Sequence, residues 1–146
     1  MQRVLNAQVI IDNTIYSSIN QGILIFIGIE QGDDNSQLSY YAKKITNMRI
    51  FNDQEGKMNL SILDIKGSIL VVSQFTLLAN TKKGNRPSYA SAADSKLANS
   101  LYTEFIKKLK NYEINIEKGR FGAHMQLDFI NDGPITILLG DGNEKN

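Results

Sequence analysis

Apolar residues follow two different spacings along this chain, and the changes between them mark strands and helices. Val4 to Ile11 is rich in β-branched residues and ends at the turn pair Asp12-Asn13, which predicts a β-hairpin whose second arm is Ile15 to Ile19. Ile23 to Ile27 is apolar at every position, as expected of a strand covered on both faces. The chain therefore opens with three strands, the third of them central.

Helical spacing follows in two places. The first helix is predicted to begin at a capping pair, Asp34 with Gln37, and the second near the capping-box spacing Ser91 to Asp94. Apolar residues then recur at three and four residues, which is typical of amphipathic helices: Leu38, Tyr41, Ala42, Ile45 and Met48 in the first, and Leu97, Leu101, Phe105 and Leu109 with Ala98, Tyr102 and Ile106 in the second.

Further strand patterns occur around Arg49 to Phe51, at Ile69 to Val72, at Ile114 with Ile116, at Phe121 to Ile130 and at Ile135 to Leu139, and Gly140 to Asn146 reads as a frayed tail. The order of strands and helices predicts an α/β fold with layered or barrel-like, largely antiparallel sheets and two amphipathic helices packed on one side. At 146 residues, we expect one domain spanning 1–146.

Composition narrows the class of protein. The chain has 16 basic and 15 acidic residues, so its net charge of +1 argues against binding nucleic acid by bulk charge, and any such contact must be local. With no cysteine, a disulfide framework and a thiolate zinc site are excluded. The longest apolar run is seven residues and the start lacks a signal-peptide pattern, so we expect a cytoplasmic protein without a membrane segment.

Two polar stretches interrupt core-forming runs where chemistry is usually placed. The first, Ser73-Gln74-Phe75-Thr76-Leu77, offers hydroxyls, but a hydroxyl needs a base, and the single histidine, His124, is predicted to be a strand residue near the surface. If the stretch stays extended, Gln74 and Thr76 share one face and Ser73 the other, unless a bulge intervenes. A strand end with satisfied hydroxyls and a covalent esterase using Ser73 or Thr76 both remain open.

The second stretch is Asn131-Asp132-Gly133-Pro134-Ile135-Thr136, and from the residues alone it predicts a turn between strands with a trans peptide bond at Gly133-Pro134. Between the two stretches, the loop from Asn80 to Ala93 carries Lys82, Lys83 and Arg86. These cations suit phosphate oxygens, with a solvated loop as the alternative. No metal-ligand set, phosphate-binding loop or dinucleotide motif is present, so no metal or organic cofactor is expected.

Several short motifs, in order along nearly the whole chain, resemble those of the D-aminoacyl-tRNA deacylase family, also called D-tyrosyl-tRNA deacylases. Besides the two polar stretches, they are Gln2-Arg3-Val4, Arg49-Ile50-Phe51, Gly56-Lys57-Met58-Asn59-Leu60, Arg86-Pro87-Ser88 and Gly119-Arg120-Phe121. Ile135 stands where the family commonly has valine, and His124 belongs to no family motif.

The resemblance implies hydrolysis of the ester between a D-amino acid, or glycine, and the 3′ end of tRNA. It implies a homodimer in which a cis Gly133-Pro134 element enters the partner's pocket and rejects L-amino acids, instead of the trans bond expected above. Ser73, Gln74, Phe75 and Thr76 would line the ester pocket, with amides near Phe75 and Thr76 holding the carbonyl oxygen. Arg3 and Met125 would support it.

The family further implies that the 2′-hydroxyl of the terminal adenosine assists hydrolysis, which agrees with the absence of a side-chain base. Lys82, Lys83 and Arg86 would then contact tRNA. A covalent small-molecule esterase and a non-catalytic dimeric RNA-binding module are the two rival interpretations.

Overall fold

A six-stranded β-sheet organises the computed structural model, which describes residues 1–140 of the chain. In chain order the elements are β1 (Gln2–Ile11), β2 (Thr14–Ile19), β3 (Gly22–Ile27), α1 (Leu38–Asn47), β4 (Phe51–Asn52), β5 (Met58–Leu60), β6 (Ser68–Ser73), a 3₁₀-helix (Phe75–Leu78), α2 (Ser95–Lys110), β7 (Asn115–Lys118) and β8 (Gln126–Thr136). β4 and β5 form a separate two-stranded sheet.

The main sheet is mixed, with its antiparallel half built around β1. One edge of β1 pairs with β3 near its start and with β2 further along, and the other edge pairs with β8. The β1–β2 hairpin turns at Asp12 and Asn13, whose φ values of 50° and 59° suit a tight hairpin turn. β3–β6 and β6–β7 are parallel, as their helical crossovers require. The expected fold class is confirmed, with a parallel half added.

Both faces of β3 and β6 are buried. Ile23 and Val71 pack on one face in a cluster that includes the buried residues of α1 and α2, while Leu24 and Val72 point to the other face against β1. Both helices therefore lie on one side of the sheet and β3 is central, as predicted. Tyr102 on α2 donates a hydrogen bond to the Val71 carbonyl at 2.9 Å, and burial raises the pKa of this phenol.

The helix starts differ from the predicted caps. The carboxylate of Asp94 accepts hydrogen bonds from the second and third amides of α2 at 2.9 and 3.1 Å, so Asp94 itself is the N-cap. Ser91 instead donates to the Leu78 carbonyl at 3.3 Å and ties the preceding loop to the 3₁₀-helix. Asp34 accepts from a turn amide, and Gln37, at the N-cap of α1, makes no side-chain cap. Aspartate and serine side chains bond main-chain groups in turns as well as at helix starts, so Asp34 and Ser91 were wrongly predicted as caps.

Between Phe121 and Leu139 the chain has one long strand where two were predicted. β8 begins at Gln126, so Phe121 to Met125 is not a strand, and exposed His124 lies in the loop before it. β8 then continues through the predicted turn to Thr136. Of the predicted tail, residues 141–146 lie outside the described range. Among residues 1–140, no helix is both long and apolar enough to cross a membrane.

Candidate active site

The first polar stretch marks the end of β6. Ser73 is the last strand residue and pairs with Ile27, whose carbonyl accepts the Gln74 amide at 2.8 Å. The chain then leaves the sheet through Gln74 (φ −143°, ψ 82°) into the 3₁₀-helix, so the condition of an extended stretch up to Leu77 is not met. Gln74 and Thr76 still meet, because Nε2 of Gln74 donates a short hydrogen bond to Oγ1 of Thr76.

Two adjacent main-chain amides at this strand end have no acceptor. The N–H groups of Phe75 and Thr76 open the 3₁₀-helix, where no intrahelical carbonyl precedes them, and no group within residues 1–140 accepts from either. The Phe75 side chain is 56% exposed, so the position is accessible from solvent. Paired amides of this kind can hold a carbonyl oxygen that gains negative charge during acyl transfer.

Among the described residues, no basic side chain is hydrogen-bonded to the hydroxyl of Thr76. Its oxygen accepts from the Gln74 amide, and His124 makes no hydrogen bond to Ser73 or Thr76. In the range 1–140, no three His, Asp or Glu side chains converge on a point where they could hold a metal ion. The described side chains therefore supply hydrogen bonds at this point, and none of them is placed to remove a proton from a hydroxyl.

Met125 lies beside the end of β6. A Cβ added at Gly119 would lie 2.8 Å from the Met125 sulfur and 3.5 Å from a Val72 methyl, so glycine at 119 lets these two side chains approach each other. The Gly119 amide in turn donates to the Val71 carbonyl at 2.9 Å. The structure thus brings Met125 next to the residue that precedes Ser73.

The second polar stretch forms a wide bulge in β8. Val4 pairs with Asn131 and Gln2 pairs with Thr136, so the four residues 132–135 lie opposite the single residue Arg3. Gly133 and Pro134 are exposed on this bulge. Their peptide bond is cis, so the trans bond expected from the residues alone is wrong, and the cis bond implied by the family resemblance is confirmed.

Arg3 supports the bulge from beneath. Its guanidinium donates to the carbonyls of Ile50 (2.7 Å) and Asp132 (3.2 Å), and to Oδ1 of Asn52 (3.4 Å), while Nε lies 3.1 Å from the Asp132 carboxylate. The Arg3 side chain is only 8% exposed. Because the guanidinium is a planar donor group with fixed geometry, these acceptors set the position of the main chain beside Gly133.

Hydrogen bonds within the bulge add to this support. The side chain of Asn131 accepts the Ile135 amide at 3.1 Å and donates to the Thr136 hydroxyl at 3.1 Å, closing the loop across its base. Gly133 has φ 124°, a region that favours glycine. A Cβ there would lie 3.0 Å from Ile135 and 3.2 Å from Nη2 of Arg3. The element is therefore closely packed on its inner side.

The two polar stretches do not meet within one chain. β1 and β3 separate β8 from β6 in the sheet, and no hydrogen bond within the described range joins residues 73–76 to residues 131–136. Open clefts occur elsewhere, one of about 510 Å³ beside Lys43 on α1 and one of about 710 Å³ beside Lys66. Both clefts are remote from the polar strand end. The two polar stretches therefore lie on different strands, with β1 and β3 between them.

The loop after the 3₁₀-helix projects a basic tip. Asn80 and Ser88 pair through both amides at 2.8 and 2.9 Å, and this neck carries the exposed side chains of Lys82, Lys83 and Arg86. None of these three has an acidic partner within 4.0 Å in the described part of the chain.

Tyr89 directly follows the neck and was not singled out from the sequence, because a lone aromatic in an aperiodic loop gives no signal. Its ring lies 5.0 Å from that of Phe75, centroid to centroid, at 72°.

Comparison with known proteins gives consistent results over nearly the whole chain. The family model described as D-Tyr-tRNA(Tyr) deacylase matches residues 1–140. The D-aminoacyl-tRNA deacylase of Thermosipho africanus (strain TCF52B) is 48% identical over 139 residues, which is 95% of this chain and 93% of that protein.

Two solved structures share the fold. One is named c-Myc DNA Unwinding Element Binding Protein, with a TM-score of 0.87, 40% identity and 93% of each chain covered. The other, a probable eukaryotic D-amino acid tRNA deacylase, has a TM-score of 0.76 at 17% identity, covering 91% of this chain and 92% of its own, and this likeness supports the fold alone.

Proposed function

The chain belongs to the D-Tyr-tRNA(Tyr) deacylase family, and on this basis we propose that it hydrolyses the ester bond of D-aminoacyl-tRNA, and of glycyl-tRNA charged on the wrong tRNA, releasing amino acid and tRNA. The single observation that carries the proposal is the pair of amides at Phe75 and Thr76, which no acceptor within residues 1–140 bonds, set beside polar side chains at the end of β6. The place of action would be the cytoplasm, where aminoacyl-tRNA is used.

In this proposal the protein supplies orientation and hydrogen bonds to the ester. The amides of Phe75 and Thr76 hold the carbonyl oxygen as it becomes negative, while Ser73 and Gln74 line the same pocket and Met125 closes its side. Since no base from residues 1–140 is bonded to Thr76, the 2′-hydroxyl of the terminal adenosine positions or activates the attacking water. The proposal gives Thr76 no role as a nucleophile, which is consistent with the hydrogen bond that its hydroxyl accepts from Gln74.

Discrimination between D- and L-amino acids would come from Gly133 and Pro134 of a second subunit. The carbonyl groups of this element would face the α-amino group and α-carbon of the substrate, so that an L side chain collides with them and a D side chain points away. The support is that the element is exposed, closely packed on its inner side through Arg3, and separated from the β6 end of its own chain.

A homodimer would bring the β6 end of one subunit next to the Gly133-Pro134 element of the other. β8 leaves its outer edge unpaired in the described part of the chain, and large apolar side chains are exposed beside the bulge, with Leu5 47% and Ile130 51% exposed. An unpaired edge with exposed apolar residues is typical of a surface that another chain covers. Isologous pairing through this face would complete two equivalent pockets.

Contact with tRNA would be local, at Lys82, Lys83 and Arg86. If each cation neutralises one phosphate, replacing one by alanine reduces the slope of log affinity against log salt concentration by about 0.7 to 0.9. Lys110→Ala serves as a matched control, because Lys110 is also an exposed cation and lies on α2. Equal slopes of log affinity against log salt concentration for Lys82→Ala and Lys110→Ala would show that the loop does not contact tRNA.

The direct test of the activity presents the purified protein with D-tyrosyl-tRNA and L-tyrosyl-tRNA in parallel. The proposal expects release of D-tyrosine and little release of L-tyrosine, whereas equal cleavage would contradict chiral selection. A substrate ending in 2′-deoxyadenosine should be cleaved far more slowly. A trapped acyl-enzyme would favour the covalent esterase, and tight tRNA binding without cleavage would favour the RNA-binding module.

A further inference from the structure

Three apolar side chains lie exposed where the 3₁₀-helix meets the basic loop. Phe75 is 56% exposed, Leu77 51% and Tyr89 38%. The rings of Phe75 and Tyr89 contact each other edge to face, with centroids 5.0 Å apart and planes at 72°. Exposed apolar side chains that cluster often mark a binding surface, and the contact between Phe75 and Tyr89 makes these two rings a candidate for one.

The position of Tyr89 is fixed by hydrogen bonds on both sides. The Asn80–Ser88 pairing immediately precedes it, and its own carbonyl accepts the Ala92 amide at 3.0 Å. The hydroxyl of Ser91 bonds to Leu78 of the 3₁₀-helix and holds the loop against the site. A ring fixed in place before binding loses little further conformational entropy when a ligand stacks on it.

The charge around these rings identifies the occupant. From Asn80 to Ala93 the loop has no acidic residue and three basic ones, on a chain whose overall charge is only +1. Aromatic faces combined with cations are the usual means of binding single-stranded RNA, whose bases stack while its phosphates meet the cations.

We propose that Phe75 and Tyr89 form a stacking platform for the unpaired nucleotides at the 3′ end of the RNA, whose phosphates contact Lys82, Lys83 and Arg86. The inference rests on the proposed function. Because the ester carbonyl is held at the amides of Phe75 and Thr76, the terminal nucleoside lies beside Phe75. Tyr89, one ring further towards the basic tip, receives the base before it.

Binding of RNA without chemistry tests the platform. The probe is an uncharged oligonucleotide ending in CCA, with 2-aminopurine replacing the penultimate base. Tyr89→Ala is expected to weaken binding by about 5- to 150-fold, the range for one stacked base. Quenching of the 2-aminopurine should occur with the wild-type protein and with Tyr89→Phe, which keeps the ring, and should be absent with Tyr89→Ala.

Activity on two substrates separates this inference from the proposed function. Tyr89→Ala should lower kcat/KM for D-tyrosyl-tRNA, mainly through KM, while leaving hydrolysis of D-tyrosyl-adenosine, which has no preceding base, within about twofold of wild type. Equal loss on both substrates, an altered sedimentation coefficient or unchanged RNA binding would overturn the platform. Failure of the wild-type protein to cleave D-tyrosyl-tRNA would overturn the proposed function, whereas the oligonucleotide result would still stand.

Discussion

Replacing Arg3 by methionine removes the group that holds the Gly133 bulge in place. The change leaves the carbonyls of Ile50 and Asp132 without their donor, and it leaves the Asp132 carboxylate without its cation. Removing one partner of a buried ion pair costs about 3–5 kcal/mol. The Asp132 side chain is 33% exposed and can be partly hydrated, so we take the lower end, about 3 kcal/mol.

Arg49→Met provides a matched control. Arg49 also donates a hydrogen bond to a main-chain carbonyl, that of Asn59 at 2.9 Å, but it is exposed to solvent. Its loss should lower the free energy of unfolding by no more than about 1 kcal/mol. The chain has no tryptophan, so urea unfolding is best followed by far-UV circular dichroism. A loss of about 3 kcal/mol corresponds to a fall of roughly 6–12 °C in Tm for a chain of this size.

The same Arg3→Met variant should discriminate poorly between D- and L-tyrosyl-tRNA, since the element proposed to reject L-amino acids is no longer held in position. Discrimination by Arg3→Lys should lie between that of the wild type and that of Arg3→Met, because an ammonium cannot reproduce the planar set of donors. If Arg3→Met and Arg49→Met lower the free energy of unfolding equally, the supporting role of Arg3 is refuted.

Three further outcomes are expected. Thr76→Ala should slow D-tyrosyl-tRNA hydrolysis without abolishing it, and total loss of activity in a folded variant would instead support a covalent role. Gly22→Ala should lower the free energy of unfolding by about 3 kcal/mol or more, because the new Cβ would lie 1.8 Å from the Ser68 carbonyl oxygen. A loss of 1 kcal/mol lowers Tm by about 2 °C, so a variant whose Tm stays within 2 °C of the wild type would contradict that collision. Hydrogen bonds from the amide and hydroxyl of Ser61 lower the pKa of Asp64 below its ordinary 3.8, so its stabilisation is present above that pH and lost as pH falls through the folded pKa. Asp64→Asn should therefore destabilise the protein at pH 7 and progressively less below pH 3.8, and a difference independent of pH would contradict this assignment.

The fold could be predicted from hydrophobic periodicity because burial dictates it. The apolar run at Ile23 to Ile27 predicted a strand buried on both faces, and its side chains are divided between the clusters on the two faces of the sheet. The periodic residues of α2 all pack in the cluster on one of these faces. The parallel pairing of β3, β6 and β7 could not be predicted, since the strand pattern carries no direction and the helical crossovers decide it.

The candidate site was accessible from the sequence only in part. Polar residues at the ends of apolar runs indicated both stretches, but the turn after Gln74 and the bulge opposite Arg3 depend on pairing with distant strands. The cis bond at Gly133 followed from family resemblance, because the residues alone favour trans. Tyr89 had no sequence signal, since its meaning comes from the ring beside it in space.

Mixed dimers test the central claim most directly, namely that one subunit's Gly133-Pro134 element completes the other subunit's pocket. Gly133→Val disables the element, because any Cβ there meets Arg3 and Ile135. Phe75→Pro removes one of the two amides proposed to hold the ester carbonyl. Phe75 is the first residue of the 3₁₀-helix, a position where proline is tolerated.

Each variant alone should be nearly inactive towards D-tyrosyl-tRNA. Refolded together in equal amounts, they should recover about one quarter of wild-type activity, because half of the dimers would be mixed and each would hold one intact pocket. If the mixture stays as inactive as its parts, the element acts within its own chain or not at all, and the account is contradicted.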